Sequence, residues 1–178
     1  MYAGHAAIAL IIKARRPATP MVPLALACYG PDFVDIALMI PHPREGMAIY
    51  SHSIAAVVIG AALAWLARVR FSGGVGAKAI ALGWLLHWPA DALTGVKPLL
   101  GLDTLIGLDL YHLGFTDVAL EAVPIGVATA MCLRVWGPGA DGRRVALATG
   151  AALFLAQVAF MIAMKQADPL TWTPRLVQ

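Results

Sequence analysis

The sequence predicts an all-α polytopic membrane bundle of about five to six transmembrane segments, the first of them short. Three observations predict it. The chain has 178 residues, of which 60% are hydrophobic and only 13% charged, against about 25% charged in a soluble domain, too few to cover a globular surface in water. Its mean hydropathy is +0.77. Apolar residues gather in stretches at 2–13, 18–40, 52–69, 77–95, 118–136 and 144–164, most near the ~20 residues that span hydrocarbon as a helix. Basic residues crowd alternate connections, the pattern of a chain threaded back and forth.

The first stretch is too short to span alone and is expected to be a partial or tilted helix packed on others. The second is interrupted by Pro23 and by Gly30-Pro31. Proline lacks the N–H and clashes with the preceding turn, so a fresh helical turn is expected at Pro31-Asp32. The remaining four are long enough to cross. There is no internal repeat, low-complexity tract or polar domain, so residues 1–178 read as a single integral membrane domain. Cys28 and Cys132 both sit inside apolar runs and read as packing residues without a disulfide. Met1 to His5 form no basic region and no cleavage site follows, so no cleaved signal peptide is expected.

The connections orient the chain. Lys13, Arg15 and Arg16 follow the first stretch. Arg68, Arg70 and Lys78 join the third and fourth, and Arg134, Arg143 and Arg144 the fifth and sixth. The opposite connections hold only Arg44, only Lys97, and Lys165 with Arg175. The positive-inside rule makes the rich side cytoplasmic and puts both termini of a multi-pass cell-membrane protein outside. The pI of about 9.1 therefore reflects topology signals, and no nucleic-acid partner is expected.

Ionisable residues inside a span cost about 2.5–3.5 kcal/mol each on insertion scales and need a partner, a cavity or a metal. This chain has His5, Asp32, Asp35, His52, His87, Asp91 and Glu121. Counted at 1.5 Å per residue from the basic anchors, or from Thr19 for Asp32, His5 and His87 lie about 12–13 Å deep, Asp32 and Asp91 about 20 Å, and His52 about 24 Å. All five fall from about the bilayer middle to the outer face. His87 and Asp91 are four apart, and Asp32 and Asp35 three apart, so each pair shares a helix face. Pro89, between His87 and Asp91, loosens the ladder there. Taken singly, each residue has a plain reading: an interhelical His donor, Asp32 as a helix N-cap, Asp91 paired with His87. Taken together, four segments bring imidazole and carboxylate to one layer, a donor mixture that suits Zn, Mn or Fe. His42, between Pro41 and Pro43, reads as an exposed loop residue, and His112 is ambiguous. Asp103, Asp109 and Asp117 read as solvated outer-loop charges. Glu121, near Pro124, reads as a ligand or a group behind the ligands.

In order, the chain carries His5, Gly30-Pro31-Asp32 with Asp35, Ser51-His52-Ser53, and His87 with Asp91. This resembles the membrane-bound metal-dependent hydrolases of the YdjM-like group, over roughly residues 1–112. That family has an early His, a Pro-Asp-x-Asp segment, a Thr-His-Ser segment and a His-x-x-x-Asp segment on successive apolar helices. Here the acidic pair is one residue longer, and Met47 stands where the family has a further His. A weaker likeness is to the zinc-dependent phospholipases C and single-strand nucleases. The resemblances imply metal-assisted hydrolysis of a phosphoester or a lipid headgroup, with membrane lipid and a small-molecule or lipid substrate as partners.

The resulting expectation is a divalent metal, zinc before manganese or iron, held by Asp32, His52, His87 and Asp91. His5 is a further ligand or holds a second ion, and Asp35 or Glu121 acts as general base or orients a ligand imidazole. The rivals are ion- or proton-coupled transport through the same cluster, and a non-catalytic metal-stapled membrane protein. A transporter needs a path to both faces. The cytoplasmic halves of the stretches hold almost no ionisable residue, which favours the one-sided enzyme.

Overall fold

The computed structural model describes residues 2–39, 51–100, 104–110, 115–137 and 139–166. They form mostly helix: α1 Ala3–Arg15, α2 Met21–Cys28, α3 Gly30–Met39, α4 Ile54–Ser72, α5 Ala77–Thr94, α6 Phe115–Trp136 and α7 Ala140–Gln166. One short hairpin departs from all-α. β1 Val96–Pro98 pairs antiparallel with β2 Leu105–Gly107, Lys97 opposite Ile106, in a connection expected to be plain loop.

Among the described residues, three helices, α4, α6 and α7 over Ala140–Ala163, are long and apolar enough to cross a membrane. The α2–α3 pair, bent by 58°, makes a fourth if it is one span. This is fewer than the five to six expected. Helix α1 has 13 residues and is too short to span, as anticipated. Helix α5 falls short in apolarity because Lys78, His87 and Asp91 interrupt it.

The break between α2 and α3 lies at Tyr29, and α3 restarts at Gly30-Pro31, where the sequence placed a fresh turn. Close approach explains the glycine. A Cβ on Gly30 would stand 2.2 Å from the Trp84 ring, and one on Gly60 would stand 2.4 Å from the same indole. Trp84 of α5 is thus held between two glycines, which draws α3 and α4 onto one helix. Helix α4 opens with Ser53, whose Oγ accepts from the Ala56 N–H at 3.2 Å. It closes at Gly73 with φ +66°, a left-handed cap that favours glycine.

Helix α1 is the centre of the bundle. One face packs Ala3, Ala7 and Leu10 against Ile125, Ala128 and Cys132 of α6 and Ala146 of α7. The other packs Ala9 and Ile12 against Leu24, Ala27 and Cys28 of α2 and Ile80 of α5. Small alanines let neighbouring backbones come close, the usual device of helix packing in lipid. Both cysteines are buried free thiols in these cores, as expected. The outer faces stay apolar, with Leu63 61% and Leu155 65% exposed.

Helix directions put chemistry and basic charge at opposite ends. The starts of α1, α3, α4 and α6 and the finish of α5 form one end. Arg15, Arg70, Lys78, Arg134 and Arg144 lie toward the other.

Candidate metal centre

Four side chains meet at the first of these ends: Asp32, His52, His87 and Asp91, each offering one ligand atom within 4.8 Å of all the others. Asp32 comes from the first turn of α3 and His52 from the turn before α4. His87 and Asp91 share a face of α5 as spaced, Nε2 to Oδ2 at 3.5 Å. His52 Nε2 lies 3.1 Å from His87 Nε2, 3.3 Å from Asp32 Oδ1 and 3.5 Å from Asp91 Oδ2. His87 Nε2 lies 3.6 Å from Asp32 Oδ1. Tetrahedral ligands at about 2.0–2.1 Å from zinc stand about 3.4 Å from one another. The residues therefore fit a metal, and this His2Asp2 group can hold one.

The imidazoles are set in the ligand tautomer. His87 Nδ1 lies 2.9 Å from the Cys28 carbonyl. A carbonyl only accepts, so Nδ1 carries the proton and Nε2 presents a lone pair to the centre. The Ser51 hydroxyl donates to Asp35 Oδ1 at 3.2 Å. Its oxygen thereby receives the His52 Nδ1–H at 2.6 Å, which bares His52 Nε2 as well. Such outward hydrogen bonds fix the ring orientation of metal-binding histidines. Asp35 is thus no member of the four but reaches His52 through Ser51.

His5 is brought to the site yet stays outside the four. Its ring stacks on Tyr29 at 5.4 Å and tilts against His87 at 4.0 Å between centroids. Its Nε2 lies 3.5 Å from Asp91 Oδ1, the oxygen turned away from the centre. Neither ring nitrogen makes a hydrogen bond, although both are buried. An unsatisfied buried polar atom costs about 1–3 kcal/mol, a cost that the packing of α1 carries at His5.

Glu121 does not face the centre. Its Oε1 and Oε2 accept from the Tyr2 and Gly4 N–H groups, each at 2.8 Å. Gln157 Oε1 accepts from the Ala3 N–H at 3.3 Å, and its amide donates to Asp117 Oδ2 at 3.2 Å. A carboxylate on the positive end of a helix is favourable, and α1 has no side-chain cap of its own. Glu121 therefore positions the helix that carries His5. Asp117 corrects the expectation of a solvated loop charge: it is 5% exposed within this clamp. Asp109 is exposed, as expected. His42, Met47, Asp103 and His112 lie outside the described residues.

Two participants escaped sequence reasoning. In the sequence Lys97 reads only as a topology charge, yet its Nζ reaches Asp91 Oδ2 at 2.6 Å. The hairpin brings it there: Ile54 N–H donates to the Leu99 carbonyl, Leu108 N–H to the Ala92 carbonyl, both at 3.0 Å, and Trp88 Nε1–H to the Pro98 carbonyl at 3.3 Å. A lone outer-loop lysine just past the α5 end was the available signal. Gln157 carries no charge and so no insertion-cost signal, although it is the one amide in an otherwise apolar stretch.

No protein-family model, no curated protein and no solved structure matches this chain.

Proposed function

We propose that this chain is a multi-pass membrane hydrolase that uses one divalent ion, zinc by its donor set, to cleave a phosphoester or lipid headgroup at the non-cytoplasmic face. One observation carries the reading: two imidazoles and two carboxylates from three segments stand at the mutual spacing of a tetrahedral centre, 3.1–3.6 Å over the closest pairs. When bound, the ion supplies Lewis-acid polarisation and an activated water.

The chain's own residues do the rest. Cys28 and the Ser51–Asp35 pair hold the two ligand imidazoles with their protons outward. The charges of Asp32 and Asp91 match a divalent cation. Lys97 neutralises Asp91 and, with the ion in place, its charge becomes available to an anionic oxygen of the substrate, which favours phosphoesters over neutral esters. His5 adds a spare imidazole beside Asp91. Among the described residues, every buried histidine and carboxylate, His5, His52, His87, Asp91, Asp117 and Glu121, lies at this one end. That supports a one-sided enzyme over a transport path open to both faces.

The test is elemental analysis of the purified protein with and without chelator, beside a cleavage screen of phosphoesters and phospholipids. We expect one equivalent of zinc per chain and cleavage that disappears with chelator. Lys97→Met should keep the metal and lose cleavage of anionic substrates. A chain that holds no divalent metal sinks the reading.

A further inference from the structure

We propose that the apolar groove along α4 seats one acyl chain of a membrane phospholipid, with its headgroup at the His/Asp group. The proposal rests on the hydrolase reading for what happens to the headgroup but not for the seating of the chain. The groove is open along one side, has a volume of about 510 Å³ and is lined by Ser51, Ala56, Gly60, Leu63, Ala67 and Trp84 among others. Its volume is that of a small-molecule site, about 300–1,000 Å³.

Its length matches one leaflet. Ala56 to Ala67 on a helix covers about 17 Å, and half of a hydrocarbon core of about 30 Å is about 15 Å. Small and aliphatic side chains spaced along one face of α4 give an extended hydrocarbon chain a continuous apolar surface to lie on.

Polarity is confined to one end. The other lining residues named are apolar, and Ser51 is the residue that hydrogen-bonds Asp35 and His52. A chain lying against α4 therefore ends beside a metal ligand. The floor depends on small side chains, since Gly60 leaves room only for the Trp84 indole. Because α4 is of membrane length and apolarity, the groove opens toward lipid, and a chain can enter sideways without crossing water.

The experiment uses the full-length protein in detergent with phosphatidylglycerol carrying a diazirine at the middle of one acyl chain. After irradiation, adducts are mapped by peptide mass analysis and metal is measured on the same samples. Leu63 in the groove and Leu155 on α7 are almost equally exposed, 61% and 65%, so bulk lipid would label them alike. We expect labelling at Leu63 in clear excess over Leu155, competed by unlabelled phosphatidylglycerol. Ala67→Phe, an exposed position that fills the groove, should lose the Leu63 adduct and keep its metal. His87→Ala should lose metal and keep the adduct. Equal labelling of Leu63 and Leu155, an adduct untouched by Ala67→Phe, or chain-to-chain cross-links through α4 each overturn the proposal. Selective labelling in a protein that never holds metal overturns the hydrolase reading and leaves the groove standing.

Discussion

His52 and His87 meet nitrogen to nitrogen, Nε2 to Nε2, at 3.1 Å. Both rings have spent their protons outward, His87 on the Cys28 carbonyl and His52 on Ser51. Two bare lone pairs this close repel unless a cation lies between them, and the carboxylates of Asp32 and Asp91 frame the same point.

Removal of a ligand should therefore remove the metal. His87→Ala and Asp91→Ala are expected to abolish stoichiometric binding, measured as metal per monomer. Asp91→Ala also strips Lys97 of its partner. His42→Ala should leave metal content unchanged. Retention of full metal by His87→Ala, with loss in His42→Ala, would place the metal at other histidines.

The Ser51–Asp35 pair should act as one unit on His52. Groups that orient a metal-binding histidine typically contribute about 10–100-fold in affinity. Ser51→Ala and Asp35→Asn should each weaken binding by about that much, read by competition with a chelator of known affinity. The double variant should be scarcely weaker than Ser51→Ala alone, because Asp35 reaches the ring only through the hydroxyl. Additive losses would mean that Asp35 acts on the centre by another route.

Glu121 is expected to matter for α1 and not for proton transfer. Glu121→Ala strands the Tyr2 and Gly4 N–H groups, and each buried donor left unsatisfied costs about 1–3 kcal/mol. Thermal unfolding in micelles should show a clear fall in midpoint, with Glu121→Gln falling less, since an amide oxygen still accepts one of the two bonds. Metal should remain bound in Glu121→Gln. Lost cleavage at unchanged stability would restore Glu121 as a base.

Sidedness can be read by thiol labelling. Cys28 and Cys132 are buried and give little background. Leu100→Cys, at a position 76% exposed, should react with a membrane-impermeant reagent added from outside. Val75→Cys, at a position 53% exposed in the connection beside Arg70 and Lys78, should react only after permeabilisation. The reverse pattern would move the site to the cytoplasmic face.

Much of this protein was legible in its residues because lipid imposes strong one-dimensional rules. Apolar length marks helices, Gly30-Pro31 breaks one, and an ionisable group in a span demands a reason. Those rules picked out Asp32, His52, His87 and Asp91, and the four-residue spacing on α5 joined two of them. Other features depended on contacts between segments far apart in sequence. Glu121 and Gln157 became the cap of α1 only because α6 and α7 pack against its start, 119 and 154 residues away from Tyr2 and Ala3 respectively. Lys97 reached Asp91 only because a hairpin folds back over the end of α5. Asp35 was separated from the ligands by the identity of its hydrogen-bond partner, which spacing cannot reveal. Periodicity and composition determine which residues must be buried or paired; which partner each one finds is decided when the helices pack, because that choice turns on ångström-scale separations between segments distant in the chain.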